Sequence, residues 1–181
     1  MADIPAIRAR LARGGVIAYP TESCYGLGCD PRNYRAVRRL LRIKGRPAAK
    51  GLILIASEFG QLERYLAPLP GPARATLGRY WPGPTTLLLP AARRTPHWLT
   101  GGRDTLAVRV TAHHDAARLC QALGMALVST SANRAGRQPL KTAAACRRAF
   151  GHRVLVVAGR IGRRKNPSTI IDFHSGRVLR G

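Results

Sequence analysis

Apolar residues along this chain fall alternately into short continuous runs and into stretches of helical spacing, the pattern of strands and helices taking turns. Near the start, Ile4, Ile7 and Leu11 follow Asp3 at helical intervals, so residues 1–13 are expected to form an amphipathic helix rather than the core of a secretion signal. Val16-Ile17-Ala18-Tyr19 reads as a buried strand ended by Pro20, and Gly26-Leu27-Gly28 reads as a turn. Tyr34, Val37, Leu40 and Leu41 then give one apolar helix face, with Arg35, Arg38, Arg39 and Arg42 on the other. A strand at 52–55 follows. Ser57 is placed to cap a helix carrying Phe59, Leu62, Tyr65 and Leu66 that ends before Pro68. Beyond the turn-rich Pro68–Pro72 connector, a short helix leads through Trp81-Pro82-Gly83-Pro84 to a strand at Thr85–Leu89. Strands are expected at 106–110, 126–130, 154–157, 168–172 and 177–180, and helices at 113–123 and 142–150. Short connections between alternating elements predict a single α/β domain over residues 1–181, and the consecutive late strands make the sheet mixed.

Composition narrows the class. A chain of 181 residues buries about 70% of its unfolded surface, enough for one core. No apolar run approaches the roughly 18 residues of a membrane span, so no membrane partner is expected. Lys and Arg number 31 against 8 acidic residues, a net charge of +23, and a field of that size attracts polyanions. Arg far outnumbers Lys, however, and GC-rich codons supply Arg without selection for binding. The helix arginines 35, 38, 39 and 42, and Arg160, Arg163, Arg164 and Lys165 in a late loop, are the candidate surface for tRNA or other structured RNA. Aromatic residues are only 6%, which weighs against RNA binding as the sole function. Cys24, Cys29, Cys120 and Cys146 form no C-x-x-C pair and no zinc-ligand spacing, so a reduced, cytoplasmic protein is expected. Cys24 reads as a small buried hydrophobe rather than a nucleophile.

Three loops carry the candidate chemistry: Lys44-Gly45-Arg46-Pro47, Ser129-Thr130-Ser131-Ala132-Asn133 and Asn166-Pro167-Ser168-Thr169. The first puts a point charge and a planar fork before an apolar strand, where they would meet phosphate oxygens. The second puts hydroxyl and amide donors at the carboxyl end of a strand, where open α/β sheets bind ligands. Neither a P-loop nor a G-x-G-x-x-G motif occurs, so a triphosphate site here is of another kind. The first two segments also have a plainer reading, as a solvated loop and as a turn-closing cap. Tyr25 and Trp81 are expected in the core or the cavity wall, and His113 and His114 at the start of a helix.

Six ordered motifs nevertheless occur together: Tyr19 to Gly28, Lys44 to Pro47, Trp81 to Thr85, Ala107 to Val110, Ser129 to Asn133, and Pro167 to Asp172. In them the chain resembles the YrdC/TsaC family of threonylcarbamoyl-AMP synthases, in its short bacterial form. The resemblance implies a twisted mixed sheet with flanking helices around a deep basic cavity. It implies condensation of L-threonine, bicarbonate and ATP into threonylcarbamoyl-adenylate and pyrophosphate, and delivery by a transferase complex to the adenosine beside a tRNA anticodon. By motif, Lys44 and Arg46 would be catalytic, and Arg46, Lys50, Thr105, Asn133, Thr142 and Arg180 would contact ATP. Thr21, Ser23, Arg109, Ser131 and Ser168 would surround threonine and the carbamate. With few carboxylates available, Mg²⁺ would be held through phosphates and water rather than by protein ligands.

Overall fold

The computed structural model describes residues 3–181, so Met1 and Ala2 of the expected first helix lie outside it. Helix α1 (Ile4–Ala12) is capped by Asp3, whose carboxylate accepts from the Ala6 amide at 3.0 Å. Strands β1 (Val16–Pro20) and β2 (Tyr25–Cys29) form an antiparallel hairpin. The second strand corrects the expected turn at Gly26-Leu27-Gly28. Leu27 is fully buried, and the glycines make room: a Cβ on Gly28 would stand 2.7 Å from the Tyr19 ring and 2.8 Å from the Val128 carbonyl oxygen. Glycine inside a strand marks such close approach. The turn lies at residues 21–24 instead, where the Thr21 amide and hydroxyl both donate to the Cys24 carbonyl, at 3.0 and 2.7 Å.

Helix α2 (Tyr34–Lys44) starts at Asn33, whose side chain accepts from the Ala36 amide, and buries Val37, Leu40 and Leu41 as its spacing predicts. It ends at Gly45, φ +66°, with Arg46 N–H donating to the Leu41 carbonyl and Gly45 N–H to that of Arg42. That paired closure requires a residue at ease in the left-handed region, and it turns Arg46 sharply away from the helix axis. Strand β3 (Ile53–Ala56) and helix α3 (Gly60–Glu63) follow. The expected helix over Phe59–Leu66 shrinks to this single turn, because the amides of Tyr65 and Leu66 bond three residues back and Leu66 bridges to Ala91. Ser57 is not its cap; its amide donates to Gln61 Oε1 at 3.1 Å.

The chain continues through α4 (Gly71–Thr76), β4 (Thr85–Pro90), α5 (His97–Thr100), β5 (Thr105–Val110), α6 (His114–Leu123), β6 (Leu127–Ser131), α7 (Ala143–Phe150), β7 (Val154–Val156), β8 (Thr169–Asp172) and β9 (Val178–Arg180). Of these helices and strands, α5 alone has no counterpart in the apolar spacing, being a single turn too short to show periodicity. The strands make one mixed sheet in the order β7-β1-β2-β6-β3-β5-β4-β8-β9. Side chains alternate between its faces. One face carries Leu27, Leu54, Val108 and Val128 in the main core with α2, and the other carries Ile17, Ile55 and Leu127 under α1 and α6.

Candidate active site

Strand register shows where the second face lies open. Residues directly opposite one another share a face, so Ile55, paired with Leu127 and Arg109, is followed along β3 by Ile53, paired with Ser129 and Ala107. Past the cover of α1 and α6, that face presents Gly26, Ile53, Ala107 and Ser129, a floor in which three of the four residues are small, under a cavity of about 400 Å³. Arg46, Lys50, Arg103, Arg109 and Arg180 line it together with eight hydroxyl side chains, and no carboxylate does.

Each wall has a local cause. The β1–β2 turn supplies Thr21 and Ser23, the loop after α2 supplies Arg46 and Lys50, β5 supplies Thr105 and Arg109, β6 ends in Ser131, and β8 and β9 bring Ser168 and Arg180. Arg46 is held by the carbonyls of Lys50 (3.3 Å) and Gly51 (3.1 Å). Arg180 donates through two nitrogens to the Ser168 carbonyl and reaches the Ser168 hydroxyl at 3.1 Å. That hydroxyl also accepts from Thr86 at 2.9 Å. Arg109 pairs with Glu22 at 3.2 Å, and the other Glu22 oxygen accepts from Thr111 at 2.6 Å.

Electrostatics make the cavity anion-seeking. Burial, then the nearby Arg103, lowers the proton affinity of the Arg46 guanidinium; burial, then Arg109 and Arg46, does the same to Arg180. Cations that disfavour one another across an open space are relieved by an anion placed between them. Arg46 Nε and Arg109 Nε are buried without a hydrogen-bond partner, and an unmatched buried donor costs about 1–3 kcal/mol. Cys24 lines the same cavity, and burial raises its pKa, so it stands as a neutral thiol and not an activated nucleophile.

The expected site residues therefore divide. Thr21, Ser23, Arg46, Lys50, Thr105, Arg109, Ser131, Ser168 and Arg180 converge on the cavity. Lys44 does not line it. The residue is 4% exposed, and its ammonium stands behind Ser131 and donates to the Ser131 carbonyl (2.7 Å), the Ser131 hydroxyl (3.2 Å) and Asn133 Oδ1 (2.9 Å). Burial first, then Arg46, lowers its pKa to about 8. Asn133 belongs to this cluster, accepting from the Ser131 hydroxyl at 2.7 Å. Thr142 lies off the cavity, where its hydroxyl caps α7 by accepting from the Ala145 amide at 3.1 Å. Arg103 escapes the motifs, although an arginine in a glycine-bearing loop before a strand repeats the signal of Arg46. Thr111 escapes them, and Glu22, although inside the first motif, has no role by sequence because nothing there links it to Arg109. Tyr25 and Trp81 are core residues, and His113 caps α6, as expected.

The comparisons with known proteins agree with one another. A family model for Sua5/YciO/YrdC, described as telomere recombination, matches residues 9–181. A threonylcarbamoyl-AMP synthase of Thiobacillus denitrificans is 61% identical over 176 residues, covering 97% of this chain and 94% of that one. One from Chromobacterium violaceum is 63% identical over 173 residues, covering 96% and 90%. Among solved structures, P. abyssi Sua5 complexed with L-threonine is 35% identical with a TM-score of 0.84, over 93% of this chain and 50% of that one. The present chain thus spans about half the length of that Sua5 protein. The chain belongs to the Sua5/YciO/YrdC family.

Proposed function

We propose that the protein is a threonylcarbamoyl-AMP synthase, condensing L-threonine, bicarbonate and ATP. The observation that carries this reading is the cavity, where five cations and eight hydroxyls converge without a carboxylate. The named relatives at 61% and 63% identity support the choice of reaction. The threonine nitrogen adds to the bicarbonate carbon with loss of water, giving a carbamate. A carbamate oxygen then bonds to the α-phosphorus of ATP while the bond to the bridging oxygen breaks, and pyrophosphate leaves. Such a transfer depends on positioning and charge stabilisation more than on a side-chain base.

In this reading Arg46, Lys50 and Arg180 neutralise the phosphates, with Thr105 beside them, and Arg103 joins that set. Arg109 forks to the threonine carboxylate, and Thr21, Ser23, Ser131 and Ser168 supply donors around the amino acid and the carbamate. Lys44 and Asn133 act by fixing Ser131. Mg²⁺ enters with ATP as part of the substrate, held through phosphates and water. The adenylate passes to a transferase complex that modifies tRNA, in a cytoplasm that suits four free cysteines. No helix among the described residues is long and apolar enough to cross a membrane. The test is pyrophosphate release from labelled ATP. Release should require both threonine and bicarbonate, and equal release with alanine would assign the site to another amine.

A further inference from the structure

One fully buried hydroxyl beside the cavity is not explained by packing. Thr86 lies on β4 with no exposed surface. It pairs with Ile170 of β8 and shares with that residue and with Leu88 the sheet face that lines the cavity. A valine would fill the same space and suits a strand equally well, so shape leaves the hydroxyl unaccounted for. Its one hydrogen bond among the described residues runs to the Ser168 hydroxyl, at 2.9 Å. Ser168 lines the cavity, and Arg180 Nη2 donates to the same oxygen at 3.1 Å. Arg180 is also held without that hydroxyl, because its Nε and Nη2 donate to the Ser168 carbonyl at 3.1 and 2.8 Å.

The direction of these bonds follows from what each group can do. A guanidinium only donates, whereas a hydroxyl has one proton to give and two lone pairs to accept with. If Ser168 donated to Thr86, the Thr86 proton would be buried with no acceptor, which is the costly arrangement. With Thr86 donating instead, every buried group is satisfied. The Ser168 oxygen then accepts twice, and its own proton is left for the cavity. We propose that Thr86 is a positioning residue that locks Ser168 as a pure hydrogen-bond donor toward the substrate. The identity of the acceptor rests on the synthase reading, in which it is an oxygen of the threonine carbamate. An unlocked serine presents a lone pair to the cavity for part of the time and would then accept from the threonine ammonium. A donor oriented in advance needs no reorganisation when the carbamate oxygen meets it.

Neutron diffraction from the full chain, exchanged into heavy water without ATP or threonine, reads the proton positions whatever the reaction. The Thr86 deuteron should point at Ser168 and the Ser168 deuteron into the cavity; the reverse direction would overturn the proposal. Steady-state kinetics then test the role. Ser168→Ala should lower kcat/KM for threonine from about tenfold to somewhat over a hundredfold, the range for a hydrogen bond to a charged group. Thr86→Val, which keeps the shape, should lower it about two- to tenfold, the range of one neutral hydrogen bond. Because Arg180 keeps its bonds to the Ser168 carbonyl, the Michaelis constant for ATP should stay near wild type in Thr86→Val. In the Ser168→Ala background Thr86→Val should add nothing, since residues that act through one another are not additive. Thr86→Ser should recover most of the loss, and Thr86→Ala, which adds no bulk, should repeat the valine pattern. Equal losses for threonine and ATP, or additive effects of Thr86→Val and Ser168→Ala, would overturn the proposal in favour of plain packing. A wild-type protein that releases no pyrophosphate with threonine and bicarbonate would refute the synthase reading instead, and the deuteron positions would still decide whether Ser168 is locked as a donor.

Discussion

The two sides of the Lys44–Gly51 loop are both rich in arginine, and they differ in how the guanidiniums are held. On the inner side, Arg46, Arg103 and Arg180 are tied to backbone carbonyls, and Arg109 to Glu22. On the outer side, Arg38 rests only over a ring, and Arg42 makes no protein hydrogen bond among the described residues. Fixed donors cost no reorganisation when charge develops between them, the arrangement transition-state stabilisation needs. Loose donors adapt to a polyanion and are screened by salt. The same residue type is thus held in two ways, and the backbone around it decides which.

The largest effect that would break this contrast is expected at Arg46. Arg46→Ala should slow pyrophosphate release by on the order of 10²–10³, the range for removing one preorganised donor. The guanidinium is half-buried and hydrogen-bonded, so a melting-point loss of a few degrees is also expected, at about 2–4 °C per kcal/mol in a chain of this size. Wild-type turnover in this variant would place Arg46 among the loose arginines. Glu22→Gln comes next. Arg109 keeps a hydrogen-bond partner but loses its counter-charge, so its fork is no longer held in place for a carboxylate. The Michaelis constant for threonine should rise about tenfold, the equivalent of one charge-assisted hydrogen bond, with turnover little changed. A fall in turnover alone would mean that Glu22 does not act through Arg109.

Lys44 sharpens the contrast through pH. Its pKa is lowered to about 8 from an ordinary 10.5, so between those values the unfolded chain binds the extra proton. Stability at this site therefore rises as pH climbs from about 8 towards 10.5. Activity should move the other way, because the ammonium that holds Ser131 and Asn133 is lost over the same range. The profile of kcat/KM for ATP, which reports the free enzyme, should fall above about pH 8. Lys44→Met should lose most activity and show no such limb; a limb that persists belongs to another group. The smallest effect is expected at Thr142. Thr142→Ala should cost about 1 kcal/mol as a lost helix cap and leave the Michaelis constant for ATP unchanged. A raised constant would restore Thr142 to the nucleotide site.

Much of this is legible in the sequence, where local periodicity and motif order carry information. The face of α2, the core strands, the mixed sheet and nine of the cavity residues follow from apolar spacing and from the family resemblance that the motifs carry. What is not legible depends on contacts distant in sequence. Gly26 and Gly28 look like turn residues until Tyr19 and Val128 are seen to crowd them. Lys44 and Arg46 are two residues apart, yet the Gly45 cap sends one behind β6 and the other into the cavity. Tyr34 and Trp98 lie far apart in sequence, so the meeting of their rings is invisible there.

The central claim, that the cavity joins three small substrates rather than merely binding anions, is tested most directly by isotope. The purified protein is incubated with ATP, threonine and ¹³C-bicarbonate, and the products are read by mass spectrometry. The account predicts a threonylcarbamoyl-adenylate carrying the heavy carbon, formed only when all three substrates are present and nearly absent with Arg46→Ala. Pyrophosphate released without a labelled adenylate, or the same yield when alanine replaces threonine, would contradict it.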